Sequence, residues 1–477
     1  MHTITKTESY GIIATVGLDL KHSVWPLAIL VLMLWITSSA LADYPLTSHR
    51  YIADPAALEY NGRLYLYGSN DSENTGNNYD MHSIVCISTD DLKNWTDHGP
   101  VLQVPRDASW AIHAWAPSVI ARNNKIYLYF ANNASGIGVA VGDSPTGPFT
   151  DARGSALINF RTPGAPGINQ WYFDPCVFVD DDGQVYLFFG GNNITNARVV
   201  RLNDDLISLA GPAVSMGTVP NFFEASYLHK RNGIYYFSYE NIPSAGLAIT
   251  YGMGFAPTSG FAYQPNILSA PSNFNNNHHA FFTYQGEWYA AYHNRYASGG
   301  MVYKRNLCLD RLNYNPDGTI QRVIPTLDGL AQLKPLNPYL RVEAETIAQQ
   351  SGILTEACAE GGMNVTSIGN GDWIRVRGVD FQDFGASQFI ARVASAVDGG
   401  EIELRLDGAA GPLIGSCAVP VTGGSQNWTI TSCTVDNSLA RGVHDLYLRF
   451  TGGGGDNLFT VNWWQFGFKF DRWQFVR

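Results

Sequence analysis

Apolar and polar positions alternate along this chain in short bursts. No long helical period runs through residues 43 to 338, and the bursts pair into hairpins. The clearest, Trp171 to Gly191, reads WYFDPCVFVDDDGQVYLFFGG. An Asp-Pro opens it, Cys176 to Val179 runs as a strand, an acidic turn ends at Gly183, and Val185 to Phe189 returns. Apolar and aromatic runs bounded by Asp and Gly read as a β-hairpin.

The same hairpin occurs five times, the others being ADPAALEYNGRLYLYGS, APSVIARNNKIYLYFA, FEASYLHKRNGIYYFSY and HHAFFTYQGEWYAAYH. Aligned on the second strand, they place Asp54, Ala116, Asp174, Glu224 and His278 in one column. Two positions on, each copy has a small residue: Ala56, Ser118, Cys176, Ser226 and Ala280. Repeats of roughly 50 to 60 residues, each of a few short strands, predict a radially repeated β architecture such as a propeller. Inner strands of all blades face one channel, so a single column would gather three carboxylates and a histidine. A lone Asp-Pro is usually a turn residue. Three acids at one repeat position point instead to function, because burying a carboxylate is costly unless it is paired or used.

From about residue 339 the pattern changes to DWIRVRGVDF, SQFIARVASA, GEIELRLDG, GVHDLYLRF and FTVNWWQFGF. Short alternating strands with Gly-rich turns predict a β-sandwich. The segment LKPLNPYLR, with Pro335 and Pro338, reads as a short linker. Gly452 to Gly455 precedes no helix, which excludes a phosphate-binding loop. The expectation is thus all-β: a propeller over 43–338 and a sandwich over 339–477.

The 477 residues suit two domains. Only 15% are charged and 13% aromatic, a profile of an extracellular all-β protein. A net charge of -11 argues against nucleic acid, which needs a basic footprint. Residues 1–42 resemble a secretory signal: Lys21 and His22, an apolar run from Val24 to Ile36, then Ala40-Leu41-Ala42. That run is shorter than the roughly 20 residues a membrane span needs, so cleavage and a secreted or periplasmic protein are expected. Of six cysteines, Cys417 and Cys433 flank a short loop and make a plausible bridge. Cys86, Cys176 and Cys308 read as core or free thiols, and Cys358 has no obvious partner.

IADPAALEYNGRLYLY, AWAPSVI, WYFDPCVFVDDDGQVYLFFGG, FFEASYLHKRNGIYYFSY and NNNHHAFFTYQGEWYAAYHNR together resemble glycoside hydrolase family 43. Within it the chain looks most like members acting on arabinoxylan. The resemblance implies a five-bladed propeller and an inverting mechanism. It makes Asp54 the general base, Glu224 the general acid, and Asp174 the carboxylate that tunes and orients the acid. Two carboxyl groups on different blades can stand the roughly 6.5–9.5 Å apart that inversion requires. Trp115 would face sugar or fill a blade core; Arg295 would bond a sugar hydroxyl or the acid pair, or form a surface salt bridge. His278 looks like the family's axial histidine near a central calcium, held mostly through water since nitrogen is a poor ligand for that cation.

The second domain resembles carbohydrate-binding module family 6, through EAE, GGMNV, NGDWIRVRGVDF, VPVTGGSQNW and NWWQF. The resemblance implies a second calcium on Glu343 and Glu345, with Asn462 a further candidate; a solvated acidic edge is the alternative. The family's two platform aromatics are replaced by Ser367 and Ser425. The expected activity is release of α-L-arabinofuranosyl side chains from arabinoxylan or xylan by a monomeric enzyme. β-Xylosidase or arabinanase activity, or a non-catalytic polysaccharide binder, are the alternatives.

Overall fold

The computed structural model describes residues 45–71, 78–270, 276–295 and 298–468. The predicted signal segment, residues 1–42, lies outside them. Among the described residues there is no α-helix, only a single 3-10 turn at Pro243–Ala245.

Five antiparallel sheets follow one another along the chain. Their innermost strands are Ile52–Tyr60, Trp115–Arg122, Cys176–Val179, Phe222–Arg231 and His279–Tyr284. Each innermost strand touches that of the next sheet, and the fifth touches the first, which closes a five-bladed ring. Between each pair of neighbouring blades lies one apolar cluster. A middle strand is therefore covered on both faces, and Ser83–Thr89 is buried at every position. That is why the propeller strands read as continuous apolar runs more than as clean alternations.

The second domain packs two sheets over one core that includes Phe389, Leu404, Leu448 and Trp464. Its strands alternate: Gln388–Ala394 and Gly400–Leu406 bury every second residue over most of their length. The Cys417–Cys433 disulfide joins a strand of one sheet to a strand of the other. The remaining four cysteines are buried thiols outside that bridge.

The stretch expected to be a linker is instead fixed. Leu336 N–H donates to Gly378 O and Asp380 N–H donates to Leu336 O, so residues around Pro335 are bonded into the sandwich. Beyond it, Thr346–Ile347 adds a fifth strand to the outer edge of the first blade. Asp97 of that blade, fully buried, accepts from Arg50 Nε at 3.1 Å and from Thr355 Oγ1 of the sandwich at 2.7 Å. Asn94 clamps the Arg377 backbone from both sides, accepting its N–H at 2.8 Å and donating to its carbonyl at 2.9 Å. Polar side chains this well satisfied make the junction a packed interface.

Candidate active site

The inner strands of the first, second and fourth blades each carry a β-bulge near their start, between Ala53 and Ala56, Trp115 and Ser118, and Glu224 and Tyr227. The bulge residues take left-handed backbone: Asp54 at φ 54°, Ala116 at 40°, Ala225 at 58°, and Asp174 at 49° in the third blade. Such conformations cost about 1–3 kcal/mol in non-glycine residues and persist where the surroundings hold them. The structural column is therefore Asp54, Ala116, Asp174 and Ala225. Glu224 stands one residue earlier, where the first two blades have Ala53 and Trp115. The sequence carries a signal for this: Asp54 stands nine positions before Arg63, and Ala225, not Glu224, stands nine positions before Ile234. The small-residue column shifts likewise, with Tyr227 in place of Ser226. Its members stitch blade to blade: Ser118 Oγ accepts Val177 N–H at 2.9 Å, and Cys176 Sγ accepts Leu228 N–H at 3.3 Å.

Despite the shift, Asp54, Asp174, Glu224 and His278 line one cavity of about 410 Å³. Asp54 is held on every side. Arg305 Nη1 donates to its Oδ1 at 2.7 Å, and Ser69 Oγ donates to its Oδ2 at 2.7 Å while accepting Ala116 N–H at 2.8 Å. Its own N–H donates to His293 Nδ1 at 3.2 Å, which leaves His293 Nε2 to donate to Asn276 O at 3.0 Å. That imidazole is neutral, with burial pushing its pKa down to about 3. Burial alone would raise the Asp54 pKa, but the Arg305 charge above all, with His278 and the Ser69 hydroxyl, outweighs it and brings it to about 2. Asp54 is thus a carboxylate at any working pH.

Asp174 and Glu224 are the reverse. Burial pushes each up to about 7, and the neighbouring Glu224 and Asp54 charges add to the rise for Asp174, as Asp54 does for Glu224. The Ala225 amide donates to Asp174 Oδ2 at 2.9 Å, so the blade-four bulge holds the blade-three acid. His278 Nδ1 sits 3.7 Å from Asp54 Oδ1 and 4.0 Å from Asp174 Oδ2. One pocket thus contains a permanent carboxylate and protonated carboxyls, the pairing acid–base chemistry requires.

Trp115 lines this cavity, its ring edge-on to Tyr79 with centroids 6.2 Å apart. Trp171 and Phe173, 5.1 Å apart, are also on the wall. Arg295 does not line the cavity; it is buried, and the guanidinium on the wall is that of Arg305. Arg305 is oriented by Asp71, through Nη2 to Oδ1 at 2.7 Å and Nε to Oδ2 at 2.9 Å. Neither Arg305 nor Asp71 lies in a hairpin motif, so no repeat position marks them.

The donors on the propeller axis do not suit direct calcium ligation. His278 is a nitrogen donor, the Asp54 oxygens are engaged by Arg305 and Ser69, and no group of three His, Cys, Asp or Glu among the described residues is arranged to hold a metal. The sandwich is different. Glu345 is buried with Oε2 lacking any donor, and Asn462 Oδ1 is likewise buried and unpartnered. Burial pushes the Glu345 pKa well up, with the Glu343 charge adding to it. Two orphaned oxygens beside a second carboxylate fit a hard, oxygen-seeking cation. Glu343 is half exposed and bonded to Arg341 at 2.9 Å.

Ser425 is exposed in the loop between Leu413–Val419 and Thr429–Thr434, and Ser367 is half-buried directly after Met363–Thr366. Trp373 packs on Tyr447 of the neighbouring strand with centroids 5.3 Å apart.

A family model for glycosyl hydrolases family 43 matches residues 43–320, and one for carbohydrate binding module (family 6) matches residues 343–467. An arabinoxylan arabinofuranohydrolase of Paenibacillus polymyxa is 41% identical, over 88% of this chain and 74% of its own length. The crystal structure of a family 43 arabinoxylan arabinofuranohydrolase from Bacillus subtilis, in complex with cellotetraose, is similar at a TM-score of 0.83 and 41% identity; the match covers 90% of this chain and 98% of that one. An α-L-arabinofuranosidase from Clostridium thermocellum is 54% identical at a TM-score of 0.54, over 59% of this chain and 97% of its own.

Proposed function

The chain belongs to glycosyl hydrolases family 43 and carries a family 6 carbohydrate binding module, and on that premise we propose that it removes α-L-arabinofuranosyl side chains from arabinoxylan with inversion. The observation that carries the chemistry is the split in protonation within one cavity. Asp54 is held ionised at a pKa of about 2 while Glu224 is pushed to about 7. In this reading Asp54 takes a proton from the attacking water, whose oxygen bonds to the anomeric carbon. Glu224 gives its proton to the departing xylan oxygen. Asp174, fixed by the Ala225 amide and facing His278, helps to orient the acid, and burial together with the Asp54 charge keeps Glu224 protonated. Trp115, Trp171 and Phe173 offer apolar faces to the sugar rings.

Export completes the reading. It is supported by the signal-like leader and by the Cys417–Cys433 bridge, since disulfides persist in oxidising compartments. A calcium ion on Glu345, Asn462 and Glu343 would stiffen the strands that join the sandwich to the first blade. Its part is structural, and no step of the reaction passes through it.

The test is a product profile with configuration. The full-length protein is incubated with arabinoxylan, linear arabinan and xylooligosaccharides while proton NMR follows the released sugar. Arabinose from arabinoxylan, appearing first as the β anomer, is the expected result. Xylose as the main product, or α-arabinose as the first anomer, would overturn the reading.

A further inference from the structure

A second glutamate, Glu240, lies behind the acid and has no part in the mechanism above. It is fully buried on Ile234–Asn241, the strand paired with the inner strand of the fourth blade, and its Cα partner in the ladder is Glu224 itself. Like charges directly opposite each other in a ladder are destabilising, and here both are out of water. One oxygen of Glu240, Oε1, accepts the Asn277 N–H. The other, Oε2, is buried and meets no N–H or O–H group of the protein. The neighbouring carboxyl is that of Glu224, and the two side chains share a hydrogen bond. Two carboxyl groups bond to each other only when a proton lies between them.

We propose that Glu240 is a positioning residue for the acid: a neutral carboxyl whose O–H donates to Glu224 and stabilises the carboxylate that Glu224 becomes on protonating the leaving oxygen. The proposal rests on Glu224 being the acid.

The surroundings decide which partner keeps the shared proton. Glu240 is pushed up by burial first, and by the Glu224 and Asp174 charges after it, with only the Asn277 amide opposing. Arg295, which follows the second strand of the fifth blade, is the cation whose charge interacts with it, and burial weakens the protonated form of that guanidinium. Glu224 has more that favours its anion, namely Glu240, Asn276 and Arg305, against Asp54. Glu240 therefore holds its proton when Glu224 gives its own away. The Asn277 amide holds one Glu240 oxygen by donating to it, which steadies the carboxyl beside Glu224. Without the Glu240 donor the new carboxylate would form in a dry site beside Asp54 and Asp174, and proton release would be harder.

The experiment compares Glu240→Gln, Glu240→Met and Glu240→Asp with the full-length wild type, recording kcat/KM against pH on arabinoxylan and on 4-nitrophenyl arabinofuranoside. Gln keeps an N–H donor at the same place, and its profile should stay close to wild type. Met removes the donor, and Asp, one methylene shorter, withdraws it with less disturbance should Met fail to fold. Both should move the alkaline limb up by about one pH unit and lose about tenfold on arabinoxylan, with much less lost on the activated substrate. An unmoved limb, equal losses on both substrates, or Gln behaving as Met would overturn the role of Glu240. Glu224→Ala separates the two readings: if it hits both substrates equally, the acid assignment fails; if it spares the activated one, only Glu240 is on trial.

Discussion

Arg305→Met is the substitution on which the electrostatic account of the site depends most. Arg305 spans two buried carboxylates, at 2.7 Å from Asp54 and 2.7 Å from Asp71. With it, Asp54 falls from an ordinary 3.8 to about 2, a net drop of about 1.8 despite a burial penalty acting the other way. An opposite charge at hydrogen-bond distance typically lowers a carboxyl by about 1–3 units, so its removal should carry Asp54 to roughly 3–5. The acid limb of kcat/KM should rise by the same amount, because the base must be ionised. The stability cost is separate: leaving a buried charge unpaired costs about 3–5 kcal/mol. The depressed Asp54 contributes stability above the unfolded pKa, and this is lost as pH falls from about 3.8 through about 2. Arg305→Met should therefore flatten the acid-induced loss in that window. Urea unfolding at pH 7 and pH 3, with pH–rate profiles on an aryl arabinofuranoside, measures both effects. Arg305→Lys, which keeps the charge and loses the fork, should hold the limb near wild type while sacrificing part of the stability. An acid limb that stays in place in Arg305→Met, with activity lowered evenly across pH, would refute the claim that Arg305 sets the base.

Glu224→Ala should lose on the order of 10²–10⁴-fold on arabinoxylan and far less on a 4-nitrophenyl arabinofuranoside, because a good leaving group needs little protonation; Asp54→Ala should be severe on both. Affinity electrophoresis of the full-length protein and of a Ser367→Trp, Ser425→Trp double variant tests the sandwich. The wild type should be retarded weakly by xylan and the double variant more strongly, since an aromatic pair supplies rigid contact area that serine lacks; equal retardation would count against the loop-end cleft. Chelator should lower the thermal midpoint and added calcium restore it, and Glu345→Gln should abolish the response. In chelator the raised Glu345 pKa makes its contribution largest below the ordinary carboxyl range and lost as pH rises through the folded value, so the calcium-free protein should weaken toward neutral pH. A calcium response that survives Glu345→Gln would move the site elsewhere.

Much of this molecule is legible in local sequence. The hairpin repeat, the aromatic second strands and the changed alternation after about residue 339 reflect the two-residue period of a strand, and short segments carry that period unaided. The three acids were legible too, because they open three of the repeats. What the repeats could not carry is pairing across the ring. A bulge moves one residue in one strand, so it leaves the hydrophobic pattern almost intact while it puts Ala225 rather than Glu224 at the left-handed position. Arg295 and Arg305 both follow the last blade's second strand. Only the fold gives one of them Asp71, which follows the second strand of the first blade, as a second carboxylate. Glu240 reads along the chain as one more polar residue at a strand end. It becomes a partner of the acid only because its ladder position faces Glu224 in a place that water does not reach. The stretch with Pro335 and Pro338 reads as a linker for the same reason: its hydrogen-bond partners lie some forty residues further along the chain. Strand period is a property of neighbours in sequence, and it was fixed there. Protonation, ion pairing and domain contact depend on desolvation and on partners far along the chain, and the tertiary structure alone decides those.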